Sequence, residues 1–445
     1  MIINQTGVSP AFTFAGTGDQ LVVAGVMTNL GSLTVPVIRS LQAGNTVTNG
    51  GHIASFGAGD AITMTGGGAV TNSGLISGAV TATATLNFAS TGRVAGFVVV
   101  AQGAAGPGSV VTNRGTMVFA DAPGTSAHLA NAMIALGAGN DTVINSGKLV
   151  GDVYLGDGAD IFDGRGGMLL GSVFGGLGDD LYYLTQASTI SDSGGTDTIN
   201  ARLTYTLGNG IENLTLGGFG NFKGTGNTAD NTLTGNTSSN VLDGLGGADT
   251  LLGGAGNDTL LGGTNADSLD GQNGNDRVSG GYGADTVSGG DGNDSVIGDT
   301  GTDLMAGGNG ADTLEGGIGA DTMDGGNGDD VLIGGAFGSD VMTGGLGADR
   351  FVYATAADSF ATLAADVIAD FEVGIDRIDL GALAAAPLLF MAGDPFSLAA
   401  ASVRVTAGNG GATTLVSIDL DFDGTADLRI VLTGALMLGA ADFVL

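Results

Sequence analysis

The chain of 445 residues carries 45 acidic and 12 basic residues, a formal charge of −33, and contains 87 glycines and no cysteine. This charge argues against nucleic acid as a partner, because affinity for phosphates comes mainly from Lys and Arg. The absence of cysteine excludes disulfides and thiolate metal sites. Since 43% of the residues are hydrophobic, the chain is too apolar for the disordered class, and we expect it to fold once its charge is neutralised.

The N-terminal stretch MIINQTGVSPAFTFAG lacks the basic region and the apolar run of a secretory signal peptide. No run of about 18 apolar residues, the length that predicts a transmembrane helix, occurs in the sequence. We therefore expect a protein without a transmembrane segment that, if exported, uses no N-terminal signal.

Residues 1–135 repeat a phrase of the form apolar-x-Asn-x-Gly-x-apolar. Its copies begin at residues 27, 47, 70, 88 and 111, and a further copy begins at 143, beyond this region; the spacings are 20, 23, 18, 23 and 32 residues. This recurrence predicts a parallel β-solenoid of about 20-residue coils, with a β-sandwich as the alternative. In a solenoid, the side chains of Asn29, Asn49, Asn72, Asn113 and Asn145 would stack as an amide ladder.

Residues 136–225 contain three glycine-rich turns with an aspartate at the same place. They are LGAGNDTVI at 136, LGDGADIFD at 155 and GGLGDDLYY at 175, which begin 19 and 20 residues apart. Because this spacing equals one coil, we expect a transitional solenoid that places Asp141, Asp160 and Asp180 at one corner of successive coils. We call these three residues the third column.

Residues 226–352 form fourteen consecutive units that follow the scheme G-G-x-G-x-D-x-U-x, where U is apolar. Position six is aspartate in every unit from 244 onward and asparagine, Asn231 and Asn240, in the first two. Glycines at positions one, two and four predict a tight turn, and positions seven to nine predict a three-residue strand with its eighth side chain inward. Such a strand cannot bury its apolar face alone, so neighbouring units must stack. A flexible linker or an antiparallel meander explains the constant register of the apolar position less well.

Aspartate at position six supplies a hard anionic oxygen beside a turn whose backbone carbonyls are free. Ca²⁺ takes roughly six to eight such oxygens in flexible geometry, whereas Mg²⁺ prefers to keep water in a rigid octahedron. The pattern therefore predicts sites for several Ca²⁺ ions.

The units resemble the RTX (repeats-in-toxin) nonapeptides. The resemblance implies that two units make one coil of a parallel β-roll and that Ca²⁺ lies between turns 18 residues apart. It gives a first column of Asp249, Asp267, Asp285, Asp303, Asp321 and Asp340, and a second column of Asp258, Asp276, Asp294, Asp312, Asp330 and Asp349. The candidate glycines of the metal turns are Gly253, Gly254, Gly256, Gly280, Gly281, Gly283, Gly289, Gly290, Gly292, Gly307, Gly308, Gly310, Gly316, Gly317, Gly319, Gly325, Gly326 and Gly328. Turns that depart from the pattern, with Asn265, Asp299 or the insertion in the unit at 334, are expected to bind Ca²⁺ more weakly.

Residues 353–445 leave the glycine pattern and resemble the C-terminal region of serralysin-type and other type I-secreted proteins. The segment from 349 to 383 and the final residues, ending in AADFVL, carry this resemblance. It implies a small β cap and an uncleaved C-terminal export signal read by the type I secretion machinery. Asp419, Asp421, Asp423 and Asp427 are similar to part of an EF-hand loop, but Ile430 replaces its last ligand, so a hairpin turn is favoured.

The sequence lacks the motifs of the enzymes that often precede RTX repeats. There is no H-E-x-x-H, since His52 and His128 each stand alone, and no serine lies in a G-x-S-x-G elbow. We therefore predict no catalytic residues and no organic cofactor. A polysaccharide lyase or epimerase on the N-terminal solenoid and a surface-layer subunit are kept as alternatives.

The predicted fold is all-β: a right-handed parallel β-solenoid, a larger-coil β-helix at the N-terminus, continuing into a Ca²⁺-binding parallel β-roll with a small C-terminal β cap. The predicted function is that of a secreted calcium-binding RTX protein which folds on Ca²⁺ outside the cell. It would act as an extracellular structural, surface or adhesive module, with cell-surface glycans or further copies of itself as partners.

Overall fold

The structure is a computed structural model in which two compact units divide the chain, residues 1–203 with 208–213 and residues 204–207 with 214–445. The structure describes residues 2–5, 12–14, 20–23, 26–29, 38–40, 44–55, 61–64, 68–77, 80–82, 86–95, 98–100, 108–118, 132–359, 365–384, 387–391, 396–397 and 400–445. His128 lies outside these residues, and His52 begins a strand.

The first unit is a parallel β-solenoid whose described strands form three sheets. The first sheet contains Ile2–Gln5, Gln20–Val23, Asn45–Asn49, Gly68–Asn72, Leu86–Ser90, Val110–Asn113, Thr142–Asn145, Ile161–Asp163, Leu181–Leu184 and Thr198–Ala201. The second contains Val26–Asn29, His52–Ser55, Leu75–Ser77, Arg93–Ala95, Thr116–Val118, Lys148–Val150 and Met168–Leu170. The third contains Phe12–Phe14, Ile38–Ser40, Ile62–Met64, Val80–Ala82, Val98–Val100, Ala132–Ala135, Asp152–Asp157, Ser172–Leu177 and Thr189–Ser191.

In the first sheet, the buried polar side chains at the C-terminal ends of successive strands form a ladder of hydrogen bonds. Asn49 donates through Nδ2 to Asn72 Oδ1 at 2.8 Å, and Asn113 donates in the same way to Asn145 at 2.8 Å. Between these pairs Ser90 takes the place of an asparagine and accepts from Asn72 Nδ2 at 3.1 Å. The parallel ladder confirms the predicted solenoid and shows that the β-sandwich alternative is wrong.

The predicted position of Asn29 in this ladder is wrong. Its strand lies in the second sheet, where Asn29 pairs with Ser55, and the residue opposite Asn49 in the preceding coil is Val23. The phrase around Asn29 copies the local pattern, but pairing with neighbouring coils decides which sheet a strand joins.

The second unit consists of two sheets of parallel strands through the repeats. One contains Asn213–Leu216, Thr232–Thr234, Thr250–Ala255, Ser268–Asn273, Thr286–Asp291, Leu304–Asn309, Thr322–Asn327, Val341–Leu346 and Asp366–Ile368. The other contains Tyr205–Thr206, Lys223–Thr225, Val241–Gly246, Thr259–Thr264, Arg277–Gly283, Ser295–Gly301, Thr313–Ile318, Val331–Ala336, Arg350–Val352, Arg377–Asp379 and Phe443–Val444. Equivalent residues of alternate units pair directly, as Leu251 does with Leu269. Two units therefore make one coil, which excludes both a flexible linker and an antiparallel meander.

Every eighth position of the repeats lies in the core between these two sheets, with exposures of 0 to 2% from Leu233 to Phe351. The strands are longer than predicted: most have six residues and continue from position seven into position three of the next unit. The glycines at positions one and two thus belong to the strand as well as to the turn.

The C-terminal segment closes the second unit with an antiparallel hairpin. Strands Ser402–Gly408, Thr413–Asp419 and Leu428–Thr433 pair antiparallel in that order, with Leu389–Met391 parallel to the first of them. The predicted hairpin turn at 419–427 is confirmed. Two short 3-10 helices, Asn409–Gly411 and Ala440–Asp442, accompany these strands. Within the described residues no helix has the length and apolar character needed to cross a membrane.

Candidate metal site

The first and second columns form continuous backbone-to-carboxylate ladders. The N–H of each aspartate donates to Oδ1 of the aspartate one coil further on, as Asp267 does to Asp285 at 2.8 Å and Asp276 to Asp294 at 2.7 Å. The coil repeat is 18 residues, and 19 where the insertion lies between Asp321 and Asp340. One oxygen of every carboxylate therefore holds neighbouring coils in register.

The second oxygen of these carboxylates is buried and unpaired. Among the described residues, Oδ2 has no hydrogen-bond partner in any of the twelve aspartates of the first and second columns. The side chains themselves are 0 to 4% exposed. Buried polar atoms are rarely left without a partner, so a repeated set of such anionic oxygens fits a positively charged ligand.

Each unpaired Oδ2 faces a space next to the glycine at position one of its own unit. A Cβ atom placed on Gly262 would lie 2.5 Å from Asp267 Oδ2 and 2.5 Å from the carbonyl oxygen of Gly280. The same arrangement recurs at Gly271, where the corresponding distances to Asp276 Oδ2 and the Gly289 carbonyl are 2.5 and 2.6 Å. Carboxylate and carbonyl oxygens are the ligands that Ca²⁺ prefers, so these residues fit the ion that the repeat family implies.

The predicted glycines divide into two groups. Those at position one lie beside Oδ2 atoms; they are Gly253, Gly280, Gly289, Gly307, Gly316 and Gly325. Those at positions two and four have φ between +101° and +158°; they are Gly254, Gly256, Gly281, Gly283, Gly290, Gly292, Gly308, Gly310, Gly317, Gly319, Gly326 and Gly328. Glycines of the second group pack against the backbone of the preceding coil, as Gly292 does against the carbonyl of Gly274.

Several turns hold a non-glycine residue in the same left-handed conformation. Asn265 and Asp299 have φ of 81° and 71°, and Leu245 and Gln272, which the sequence analysis missed, have φ of 76° and 72°. The ladder is continuous through these turns, since Asp303 donates to Asp321 at 2.8 Å. Weaker Ca²⁺ binding at the departing turns stays a prediction.

Burial and mutual repulsion raise the pKa of these carboxyl groups. Burial first, and neighbouring aspartates second, raise the pKa of Asp267 and Asp276 to about 7, against the lowering effect of the backbone hydrogen bond that each accepts. The pKa of Asp303, Asp312 and Asp349 rises to about 6 and that of Asp340 to about 7 for the same main reason. Without a cation, the fold therefore penalises the charged form of these groups.

The third column, which lies in the first of the two compact units, has the same geometry as the first and second columns. Asp141 donates its N–H to Asp160 at 2.6 Å, and Asp160 donates to Asp180 at 2.7 Å. The ladder continues to Asp197, which accepts from Asp180 at 2.8 Å and which the sequence analysis missed. Asp197 occupies position six of DSGGTDTIN, residues 192–200, where Asp and Ser replace the first two glycines. Burial raises the pKa of Asp160, Asp180 and Asp197 to about 7.

Two further aspartates extend the first and second columns beyond the repeats. Asp340 donates to Asp366 and Asp349 donates to Asp376, each at 3.0 Å. Before Asp366 the repeat glycines are absent, so the only sequence signal is an aspartate two residues before an inward apolar residue. Asp376 has the same signal and also keeps a glycine at position four, Gly374, with φ of +82°. Oδ2 of Asp366 has no partner in the described part of the chain, and burial raises the pKa of Asp366 to about 8.

Residues 122–445 match the family model described as peptidase M10 serralysin C terminal. Among solved structures, the chain is similar to the AlgE6R3 subunit of the mannuronan C5-epimerase from Azotobacter vinelandii. The identity is 28%, the match covers 41% of this chain and 78% of that chain, and the TM-score is 0.20. No match was found among curated proteins.

Proposed function

The chain belongs to the peptidase M10 serralysin C-terminal family, and from this premise we propose that it is a secreted calcium-binding RTX protein that folds on Ca²⁺ outside the cell. The observation that supports the proposal most directly is the repeated set of buried Oδ2 atoms without a partner among the described residues. Aspartates of the first, second and third columns, with the carbonyl groups of the position-one glycines, would hold the ions.

Without cations the columns oppose folding. Stacking of the coils buries carboxylates such as those of Asp267 and Asp285 beside each other, with the N–H of Asp267 hydrogen-bonded to Asp285 Oδ1. The glycine turns add a large loss of backbone entropy on folding. In a cytosol poor in Ca²⁺ the chain would therefore stay unfolded and suited to export.

Bound Ca²⁺ would supply the positive charge that the buried carboxylates lack. Extracellular sites have dissociation constants of roughly 10⁻⁴ to 10⁻³ M, so millimolar Ca²⁺ outside the cell suffices to occupy them. Binding to the folded state alone shifts the folding equilibrium toward it. Because each aspartate contacts the next coil, occupation of one turn orders its neighbour, and binding should be cooperative.

The proposed role outside the cell is that of a structural, surface or adhesive module. The matched family model covers the C-terminal region of serralysin-type peptidases, and within each compact unit the stacked coils offer sheet surfaces to a partner. Type I secretion machinery would export the chain, and cell-surface glycans or other copies of it would be its partners.

The test is a Ca²⁺ titration of the full-length chain followed by far-UV circular dichroism. We expect a spectrum dominated by unfolded chain in EDTA and β structure in millimolar Ca²⁺, with a sigmoidal transition and a much weaker response to equal Mg²⁺. A spectrum with the same β content in EDTA and in Ca²⁺ would refute the coupling of folding to binding.

A further inference from the structure

The third sheet of the first unit carries two stacked aromatic side chains on its outer face. Tyr154 and Phe174 occupy paired positions in neighbouring coils, and their rings stack at a centroid distance of 4.6 Å with an interplanar angle of 9°. Stacking of this kind stabilises the two strands. It covers only one face of each ring, however.

The second face of Phe174 lies toward the next coil, where the paired residue is small. Ser191 pairs with Phe174 there, in the strand that ends the third sheet. A serine side chain does not cover an aromatic ring, so aromatic surface stays open at this end of the sheet.

A groove runs beside these rings, and we call it the aromatic groove. Its cavity of about 270 Å³ is lined by both rings, by Gly156, Gly176 and Leu177, and by residues 191–193. The two glycines leave its floor bare, because a Cβ atom on either one would overlap a carbonyl oxygen of the preceding coil. Since cavities for drug-sized ligands span roughly 300–1,000 Å³, this cavity suits a smaller molecule.

Polar groups line the aromatic groove beyond its glycine floor. Along one strand the lining residues are Tyr154, Gly156 and the exposed Asp157. The turn at 191–193 is held in place by Asp192, whose Oδ1 accepts the N–H of Ser193 at 2.7 Å. An aromatic face next to carboxylate and hydroxyl groups matches a sugar, which has an apolar C–H face and a rim of hydroxyl groups.

The charge around the aromatic groove disfavours an acidic ligand. Burial first, and the charge of Asp152 second, raise the pKa of the Tyr154 hydroxyl. Asp157 and Asp192 line the groove as well, and none of its described lining residues is basic. A uronate or a sulfated sugar would be repelled by these carboxylates, whereas a neutral sugar would not.

We propose that the aromatic groove binds a neutral sugar residue of a glycan, with the sugar ring against the open face of Phe174. Hydroxyl groups of the sugar bond to Asp157, Ser191 and the hydroxyl of Tyr154. The proposal rests on the function proposed above only in taking a glycan as the partner, and it assigns that contact to the first unit.

Ligand-observed NMR titrations of the full-length chain in millimolar Ca²⁺ test the site. The probes are cellohexaose, maltohexaose, mannohexaose and chitohexaose, with hexagalacturonate as the acidic comparison. We expect a neutral probe to bind and hexagalacturonate not to bind. Phe174→Ala should raise the Kd of that neutral probe by on the order of tenfold or more, as truncation of an aromatic anchor does. Ser191→Phe, which places a further ring over the open face of Phe174, should weaken binding in the same way.

Two further variants separate the groove from a general effect of aromatic side chains. Phe174→Tyr keeps the ring and should bind as the wild type does. Phe219→Ala is the matched control, because Phe219 is 92% exposed and lies outside the groove, and it should leave the Kd unchanged. Circular dichroism in Ca²⁺ checks that each variant is folded.

Three results would overturn the site: no binding of any neutral probe to the wild type, binding of hexagalacturonate alone, or equal Kd values for the wild type, Phe174→Ala and Ser191→Phe. The proposed function fails by a different readout. A wild type with the same β content in EDTA and in Ca²⁺ would refute Ca²⁺-coupled folding and leave the sugar titrations to decide the groove.

Discussion

At the scale of single residues, each column aspartate performs two separate tasks. Oδ1 accepts a backbone N–H from the preceding coil, and Oδ2 faces the turn. One coil before the first column begins, the first repeat has Asn231 at position six, and Asn231 Oδ1 accepts the N–H of Asn227 within the same turn at 2.7 Å. The amide oxygen of Asn231 is thus hydrogen-bonded within its own turn. The column carboxylates instead leave the anionic Oδ2 oxygen available to a cation.

Replacement of Asp285 by asparagine separates the two tasks. Asp285→Asn keeps the size of the side chain and removes its charge, so we expect the Ca²⁺ midpoint for folding to rise several-fold, in line with the roughly tenfold effects of perturbed ligand shells. Asp291→Asn is the control, because Asp291 is exposed and accepts from Asn309 through Oδ1, which the amide retains. Equal shifts of the midpoint in the two variants would contradict the assignment of Asp285 as a ligand.

Replacement of Gly292 by alanine tests the close approach of neighbouring turns. Gly292 has φ of +139°, and a Cβ atom there would overlap the carbonyl oxygen of Gly274. We expect Gly292→Ala to lower the free energy of unfolding in Ca²⁺ by about 3 kcal/mol or more, measured by urea titration. Gly374→Ala shares the positive φ, +82°, but its Cβ would meet nothing within 4 Å. It should cost about 1 kcal/mol, and an equal loss in both variants would show that φ alone matters.

At the scale of elements, the repeats could be predicted because one physical requirement recurs at a fixed spacing. An inward apolar residue such as Leu260 and a turn aspartate such as Asp258 return every nine residues, which fixes strand, face and register together. The strand length was not predicted, because glycine at position two continues the ladder in a conformation that sequence patterns associate with turns.

The features that sequence patterns missed lack the glycine signal or depend on distant pairing. Asp366 follows a stretch without the repeat glycines, and Asp376 keeps only the glycine at position four. Asp197 lies in a unit that begins with Asp192 instead of glycine. Asn29 carries the right local phrase but lies in a different sheet. Register in a solenoid with coils of 17 to 32 residues is set by the neighbouring coil, which a single local phrase does not specify.

The amide ladder of the first unit predicts a specific loss of stability. Asn113 is fully buried, donates to Asn145 Oδ1 and to the carbonyl of Lys148, and accepts the N–H of Gly115. Asn113→Ala would leave these partner groups without a hydrogen bond. It should lower the free energy of unfolding by about 1–3 kcal/mol for each group that water cannot reach. Thermal unfolding in Ca²⁺ measures this.

Asn113→Ser provides the matched comparison, because Ser90 occupies the equivalent place one coil earlier and accepts from Asn72. We expect the serine variant to unfold at a temperature between those of the wild type and Asn113→Ala. Identical unfolding temperatures for all three proteins would show that the ladder contributes nothing.

At the scale of the whole molecule, the raised pKa values predict how pH affects the ion-free fold. Burial raises the pKa of Asp160, Asp267 and Asp276 from 3.8 to about 7, so the folded chain holds protons that the unfolded chain releases. The stabilisation is complete below about pH 4 and is lost as the pH rises through about 7. In EDTA, circular dichroism should therefore show more β structure at about pH 5 than at about pH 8.

The same protons compete with Ca²⁺. The Ca²⁺ midpoint for folding should fall as the pH rises from about 5 to about 8, because fewer carboxyl groups must lose a proton before they bind. More β structure in EDTA at about pH 8 than at about pH 5 would contradict the assignment of burial as the main cause of the raised pKa values.

The most direct test of the account is anomalous X-ray scattering from crystals of the full-length chain grown in Ca²⁺. We predict peaks that repeat along the first and second columns, each beside the Oδ2 atom of an aspartate such as Asp285 or Asp294 and a position-one glycine carbonyl. Crystals that show the same coils with only water beside these oxygens would contradict it.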